Sequence, residues 1–168
     1  MNNQFMFLPV MLMKQQTATM IRNCNDYTSR FGLKLSEQEI LELVENRKMV
    51  LEETGRIEFS GGVIQKIIME FADSVYVNQQ DYVEILNELQ ECFYYFKNES
   101  LEELSDDELI ELMKLYFEEV CHGSIELLQS SMLENYCRDI RYGTKSYQND
   151  DGYEDDYTDF LDWDEKEY

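Results

Sequence analysis

Cys121 and His122 set a thiol beside the only imidazole in the chain. A nucleophile with its general base needs that pair of groups. Helical neighbours point about 100° apart and do not face one another, so the pair is poorly placed for such chemistry. A single histidine also excludes a histidine-pair metal site within one chain. The run "SDDE" (residues 105–108) has the carboxylates of a divalent-ion ligand set, but acids in the first turn of a helix are also what the macrodipole favours. The structural role is the expectation there. "GG" at 61–62 lacks the further glycine, the Lys and the Ser/Thr of a phosphate loop. No catalytic residue, no metal and no cofactor is expected, and the balance is against an enzyme.

Two arginines carry a different chemistry. Arg47 falls on the apolar stripe of a predicted helix, between Val44 and Val50/Leu51. A guanidinium there must find a carboxylate or reach past its neighbours to water. Arg56 opens "RIEFSGG". Internal ion pairs are the first expectation for both. The alternative is a small cleft that captures an anion, which would make this a ligand-binding or enzymatic domain built on Arg47, Arg56, "GRIEFSGG" and "FYYFKNES".

Residues 144–168 form a third constellation, an acidic-aromatic tail. From Gly143 onward ten Asp/Glu face two Lys, a charge of −8, which leaves −14 of the total −22 to residues 1–142. Placing Gly152 on the glycine of a calcium-binding loop puts Tyr147 where the first Asp belongs and Thr158 where the bidentate Glu belongs, so that motif fails at both ends. Ordering the tail costs more entropy than burying its aromatics returns, and alone it is expected to be disordered. Tyr153, Tyr157 and Phe160/Leu161 are spaced to share one side of a helix. Acidic-aromatic alternation of this kind suits docking in a basic-rimmed apolar groove. The expected anchors are Tyr157, Phe160, Leu161 and Trp163, with Asp155, Asp156, Asp159 and Asp162 steering the encounter. The protein's own core, at −14, would repel this tail and is not expected to hold the groove, so the expected partner is a separate basic protein. A variant has the acidic surface mimicking nucleic acid as an inhibitor, and self-association through an apolar interface is a third role.

The totals set the frame for these sites. A length of 168 residues suits one domain able to bury its own core. The negative charge disfavours direct contact with nucleic acid or anionic membranes. Cys24, Cys92, Cys121 and Cys137 are widely spaced, form no C-x-x-C, and each falls in a predicted helix, as free thiols of a reducing compartment would. "FMFLPVMLM" (residues 5–13) has no basic flank before it and no small-residue cleavage site after it, and reads as a core-docking arm of a cytoplasmic protein. Nothing fixes the oligomeric state.

Helices must position all of this. Thr17, Met20, Ile21, Cys24, Tyr27/Thr28 and Phe31 recur at helical spacing up to Gly32. Ser36 with Glu39 is a capping box opening a helix to Thr54, before Gly55. Val63, Ile64, Ile67, Ile68 and Phe71 stripe a third helix. A fourth is capped by Asn78 and carries Tyr82, Ile85, Leu86, Leu89, Phe93 and Phe96. Ser105 with Glu108 opens a fifth, expected to reach His122 before Gly123. Ser124 caps a sixth, with Ile125, Leu128, Met132, Tyr136 and Ile140 inward. "RIEF" (56–59) and "VYV" (75–77) are β-prone and are candidates for a very short two-stranded element. The sole proline, Pro9, lies ahead of these helices.

"FGLKLSEQE", "GRIEFSGG", "FYYFKNES" and "LSDDELIELM", in this order, resemble an uncharacterised family of small bacterial proteins over about residues 5–141. The resemblance implies a bacterial cytoplasmic protein of helical architecture and brings no catalytic residues. The expected fold is all-α: a compact irregular bundle of about six helices over residues 1–143, followed by the acidic-aromatic tail.

Overall fold

A computed structural model describes residues 4–59, 61–130 and 132–142, and among them the chain is all-helical with no strand. α1 spans Gln4–Thr28 and tightens into a 3₁₀ turn at Ser29–Phe31. Gly32 closes that turn in the left-handed conformation, at φ +77°. α2 is Glu37–Thr54, α3 Gly62–Phe71, α4 Tyr82–Glu99, α5 Asp106–Glu119, α6 Ile125–Gln129 and α7 Met132–Arg141.

Both capping boxes form. The Glu39 N–H donates to Ser36 Oγ while the Ser36 N–H donates to the Glu39 carboxylate, and Ser105 and Glu108 repeat the exchange.

α4 is the axis of the bundle. Tyr82, Leu86, Leu89, Phe93, Tyr94 and Phe96 bury more than one of its faces, as a helix enclosed by others requires. α2 and α3 pack against it, α1 lies on α2 and α3, and α5, α6 and α7 close the remaining sides. α3 buries the expected stripe from Val63 to Phe71, and Phe71 meets Phe117 of α5 edge-on with centroids 5.5 Å apart.

Five expectations need correction. Residues 56–59 and 75–77 do not pair as strands: Ile57 is 80% exposed, Phe59 75% and Val75 87%, whereas Val77 is buried in the helical core. The sixth helix comes in two pieces, α6 and α7. At the end of α6, Ser130 donates both its N–H and its hydroxyl to the Glu126 carbonyl. Asn78 is not the cap of α4; it accepts the N–H groups of Gln80 and Asp81 in a turn before the helix, whose cap position is Asp81. α5 stops at Glu119, so Cys121 and His122 lie beyond it. Finally, Pro9 sits inside α1, where only about one turn precedes its ring. Val10, Met11, Leu12 and Met13 are exposed there rather than docked in the core.

Gly123 closes the α5 end by donating its N–H to the Phe117 carbonyl, 2.8 Å away. It does so at φ +84°, and a Cβ at this position would stand 2.6 Å from Cβ of Tyr76. Gly123→Ala is therefore expected to cost about 2 kcal/mol, combining left-handed strain with a clash that the Tyr76 stem cannot relieve by rotation. Urea denaturation measures it, and a loss under about 0.5 kcal/mol would contradict the strain argument.

Candidate functional site

Two helical stripes face each other across α1 and α2. On α1, Val10, Met13, Lys14 and Thr17 recur at intervals of three, one and three residues, and on α2 Val44, Arg47, Lys48, Leu51 and Glu52 do the same. Between them lies a groove of about 350 Å³, and Arg56, Ile57 and Glu58 form the remaining wall. The two arginines singled out by the sequence thus line one site.

Charge in the groove is balanced, where the protein as a whole is strongly negative. Lys14, Arg47, Lys48 and Arg56 line it, and they pair with Glu45, Glu58, Glu52 and Glu102 in turn, four cations to four carboxylates in a chain of net charge −22. Lys14 pairs with Glu45, and Lys48 lies 4.0 Å from Glu52. These outer pairs are largely in water and hold little energy.

Arg47 is the floor. It is only 7% exposed, and its Nη1 donates to Thr17 Oγ1 at 2.8 Å. Nη2 stands 3.6 Å from Glu58 Oε2, an ion pair too long for a hydrogen bond. Nε and Nη2 have no hydrogen-bond partner among the described residues, and neither has Glu58 Oε2. A buried guanidinium with unfilled donors is poorly compensated for its desolvation. The Tyr94 hydroxyl lies near Glu58 without a hydrogen bond of standard geometry, and burial followed by the Glu58 charge holds its phenol well above the ordinary range. Gly62 explains the "GG": at φ +51°, its missing Cβ would stand 2.7 Å from Glu58 Oε2 and 3.0 Å from Arg47 Nη2.

Arg56 is better paired. Its Nη2 donates to Asn98 Oδ1 at 2.7 Å and to the Glu102 carboxylate, and its guanidinium lies over the Tyr94 ring. The motifs "GRIEFSGG" and "FYYFKNES", distant in sequence, therefore meet through Arg56–Asn98 and Glu58–Tyr94. Sequence reasoning missed Thr17, Glu58 and Tyr94. Thr17 was visible as a polar residue on an otherwise apolar stripe, but the pairing of Glu58 with Arg47 depends on a loop path that no periodicity encodes.

The other candidates separate. Cys121 is buried and His122 exposed, with its Nδ1 3.5 Å from Tyr76 Oη in a different depression beside Asp73, Lys114 and Glu118. All four cysteines are buried and none forms a disulfide with another described residue, and burial pushes Cys92 and Cys137 up to about 11 each. In the "SDDE" run, Asp106 pairs with Lys97, Asp107 with Lys66, and Glu108 completes the cap. Among the described residues no group of three or more His, Cys, Asp or Glu is placed to hold a metal ion, and no helix is long and apolar enough to cross a membrane. Tyr157, Phe160, Leu161, Trp163, Asp155, Asp156, Asp159 and Asp162 lie outside the described residues.

Comparison with known proteins returns no matching curated protein and no matching solved structure. A model for a family of unknown function (DUF6323) matches residues 20–146. The match takes in Arg47, Arg56 and all four quoted motifs, and it leaves out the α1 wall of the groove and most of the acidic tail.

Proposed function

The chain belongs to this family of unknown function, which carries no assigned activity, and we propose that it is a binding module whose groove takes a small amphipathic anion. Arg47 carries the reading. It is a buried cation at the floor of an apolar groove, with two guanidinium nitrogens lacking hydrogen-bond partners. A carboxylate, sulfonate or phosphate head would meet Arg47, while Val10, Met13, Leu51 and Ile57 take an apolar body. Binding rather than catalysis is favoured because the Cys121–His122 pair is remote from this groove and faces two ways. Four buried cysteines with no disulfide among the described residues suit a reducing, cytoplasmic setting.

Decanoate is a suitable probe. It is expected to raise the melting temperature of the full chain in a saturable manner, and decanol, which lacks the charge, to bind at least about tenfold more weakly. Equal effects of the two would sink the role of Arg47. The second reading, a tail that docks on a basic partner protein or mimics nucleic acid, is supported by the composition of residues 144–168.

A further inference from the structure

The groove and the tail have complementary chemistry, and the point where the described fold ends brings them together. We infer that the chain's own acidic-aromatic segment, residues 153–163, occupies the α1–α2 groove and competes there with the small anion. This rests on the groove as the receiving site proposed above.

Three observations carry it. The first is charge. A domain at −14 repels an acidic tail on average. The four groove cations are each balanced by one carboxylate, so the groove is about neutral and repulsion of the tail is weakest there, contact within a Debye length depending on local charge. The second is proximity. Arg141 of α7 lies 3.8 Å from Glu99 at the end of α4, and the adjacent Asn98 holds Arg56 of the groove wall. The chain thus leaves the described fold at Tyr142, close to the edge of the site. Residues 143–156 can reach about 45 Å when extended, beyond any path across a domain whose radius of gyration is about 14 Å. Covalent attachment at this distance gives the segment an effective concentration of about millimolar. The third is exposed apolar surface at the rim. Ile57 and Phe59 project from the segment beside Arg56, and Val10 and Met13 from α1. Tyr157, Phe160 and Trp163 supply aromatic anchors, with aspartates between them to face the cations.

Trp163 is the chain's only tryptophan, so its fluorescence reports this segment alone. In the full chain its emission is expected to be blue-shifted and shielded from acrylamide relative to the urea-unfolded chain. Ile57→Asp, a change at an exposed rim position, is expected to return both to the solvent values. Leu115→Asp, at an exposed site on α5, is expected to leave them unchanged. Decanoate is expected to release Trp163 in the wild type. Solvent-like Trp163 in the wild type overturns the inference, as does insensitivity to Ile57→Asp. A shift that appears only with rising protein concentration also overturns it, by assigning the segment to a second copy. The two proposals fail separately: decanoate that raises the melting temperature without moving a solvent-like Trp163 keeps the binding site and removes the tail. A buried, Ile57-sensitive Trp163 with no response to decanoate does the reverse.

Discussion

Arg47→Ala and Glu58→Gln are expected to lower stability together and to move anion affinity in opposite directions. Arg47→Ala strips Glu58 of its partner and empties the floor of the groove, at a cost of about 3 kcal/mol. A domain of this size is typically stable by about 5–15 kcal/mol, so the variant remains folded and can be assayed. Its decanoate affinity falls at least about tenfold, which is about 1.4 kcal/mol. Glu58→Gln keeps the shape and an acceptor oxygen but removes the negative charge 3.6 Å from Arg47 Nη2. Stability falls by about 1–2 kcal/mol, while the unpaired guanidinium binds decanoate about three- to tenfold more tightly. An ion pair that serves only the fold predicts two destabilised variants with no change in affinity of either sign. Titration calorimetry beside urea denaturation separates the outcomes, and equal weakening of binding in both variants would refute the anion site.

Much of this architecture was written in local signals. Ser36/Glu39 and Ser105/Glu108 fix two helix starts because a capping box satisfies its backbone donors within four residues. Gly32 and Gly55 mark helix ends for a reason equally local, the left-handed geometry. Signals failed where the tertiary fold rather than the local pattern decided. The apolar spacing from Ile125 to Ile140 runs on across the break between α6 and α7, and Ile57 and Phe59 alternate like a strand but pair with no other segment. Arg47 and Arg56 were legible as anomalies, one on an apolar stripe and one in a motif. Their sharing of one cleft was the alternative expectation, but its α1 wall was not legible, because it depends on how α1 crosses α2, a tertiary fact. Lys97 was illegible for another reason: a lysine in a helix is ordinarily solvated, and nothing in "FYYFKNES" announces that this one is 6% exposed.

Lys97→Met is accordingly expected to cost about 2 kcal/mol, most of it from the carbonyl left without its donor. After α4 the chain turns through Leu101 at φ +51° and Glu102 at φ +66°, two successive left-handed residues of which neither is glycine. Each costs about 1–2 kcal/mol, so the turn persists only if it is tied down from outside. Lys97 is the tie. Its carbonyl accepts the Glu102 N–H and the Ser100 hydroxyl, and its ammonium donates to the Leu104 carbonyl and pairs with Asp106 at 2.9 Å. Methionine retains the stem packing but strands the Leu104 carbonyl, while the 42%-exposed Asp106 carboxylate turns to water. Amide exchange at residues 100–106 should then quicken before global unfolding does. Leu101→Gly, at an exposed position where glycine removes the strain, should instead stabilise the chain by about 0.5 kcal/mol. Because Glu102 of this turn also holds Arg56, loosening it reaches the groove: Lys97→Met should weaken decanoate binding about threefold, well short of the loss from Arg47→Ala. Wild-type stability in Lys97→Met would show the turn to be self-supporting. Unaltered affinity in a destabilised Lys97→Met would instead uncouple Arg56 from the ligand and leave Arg47 as the anion's sole buried contact.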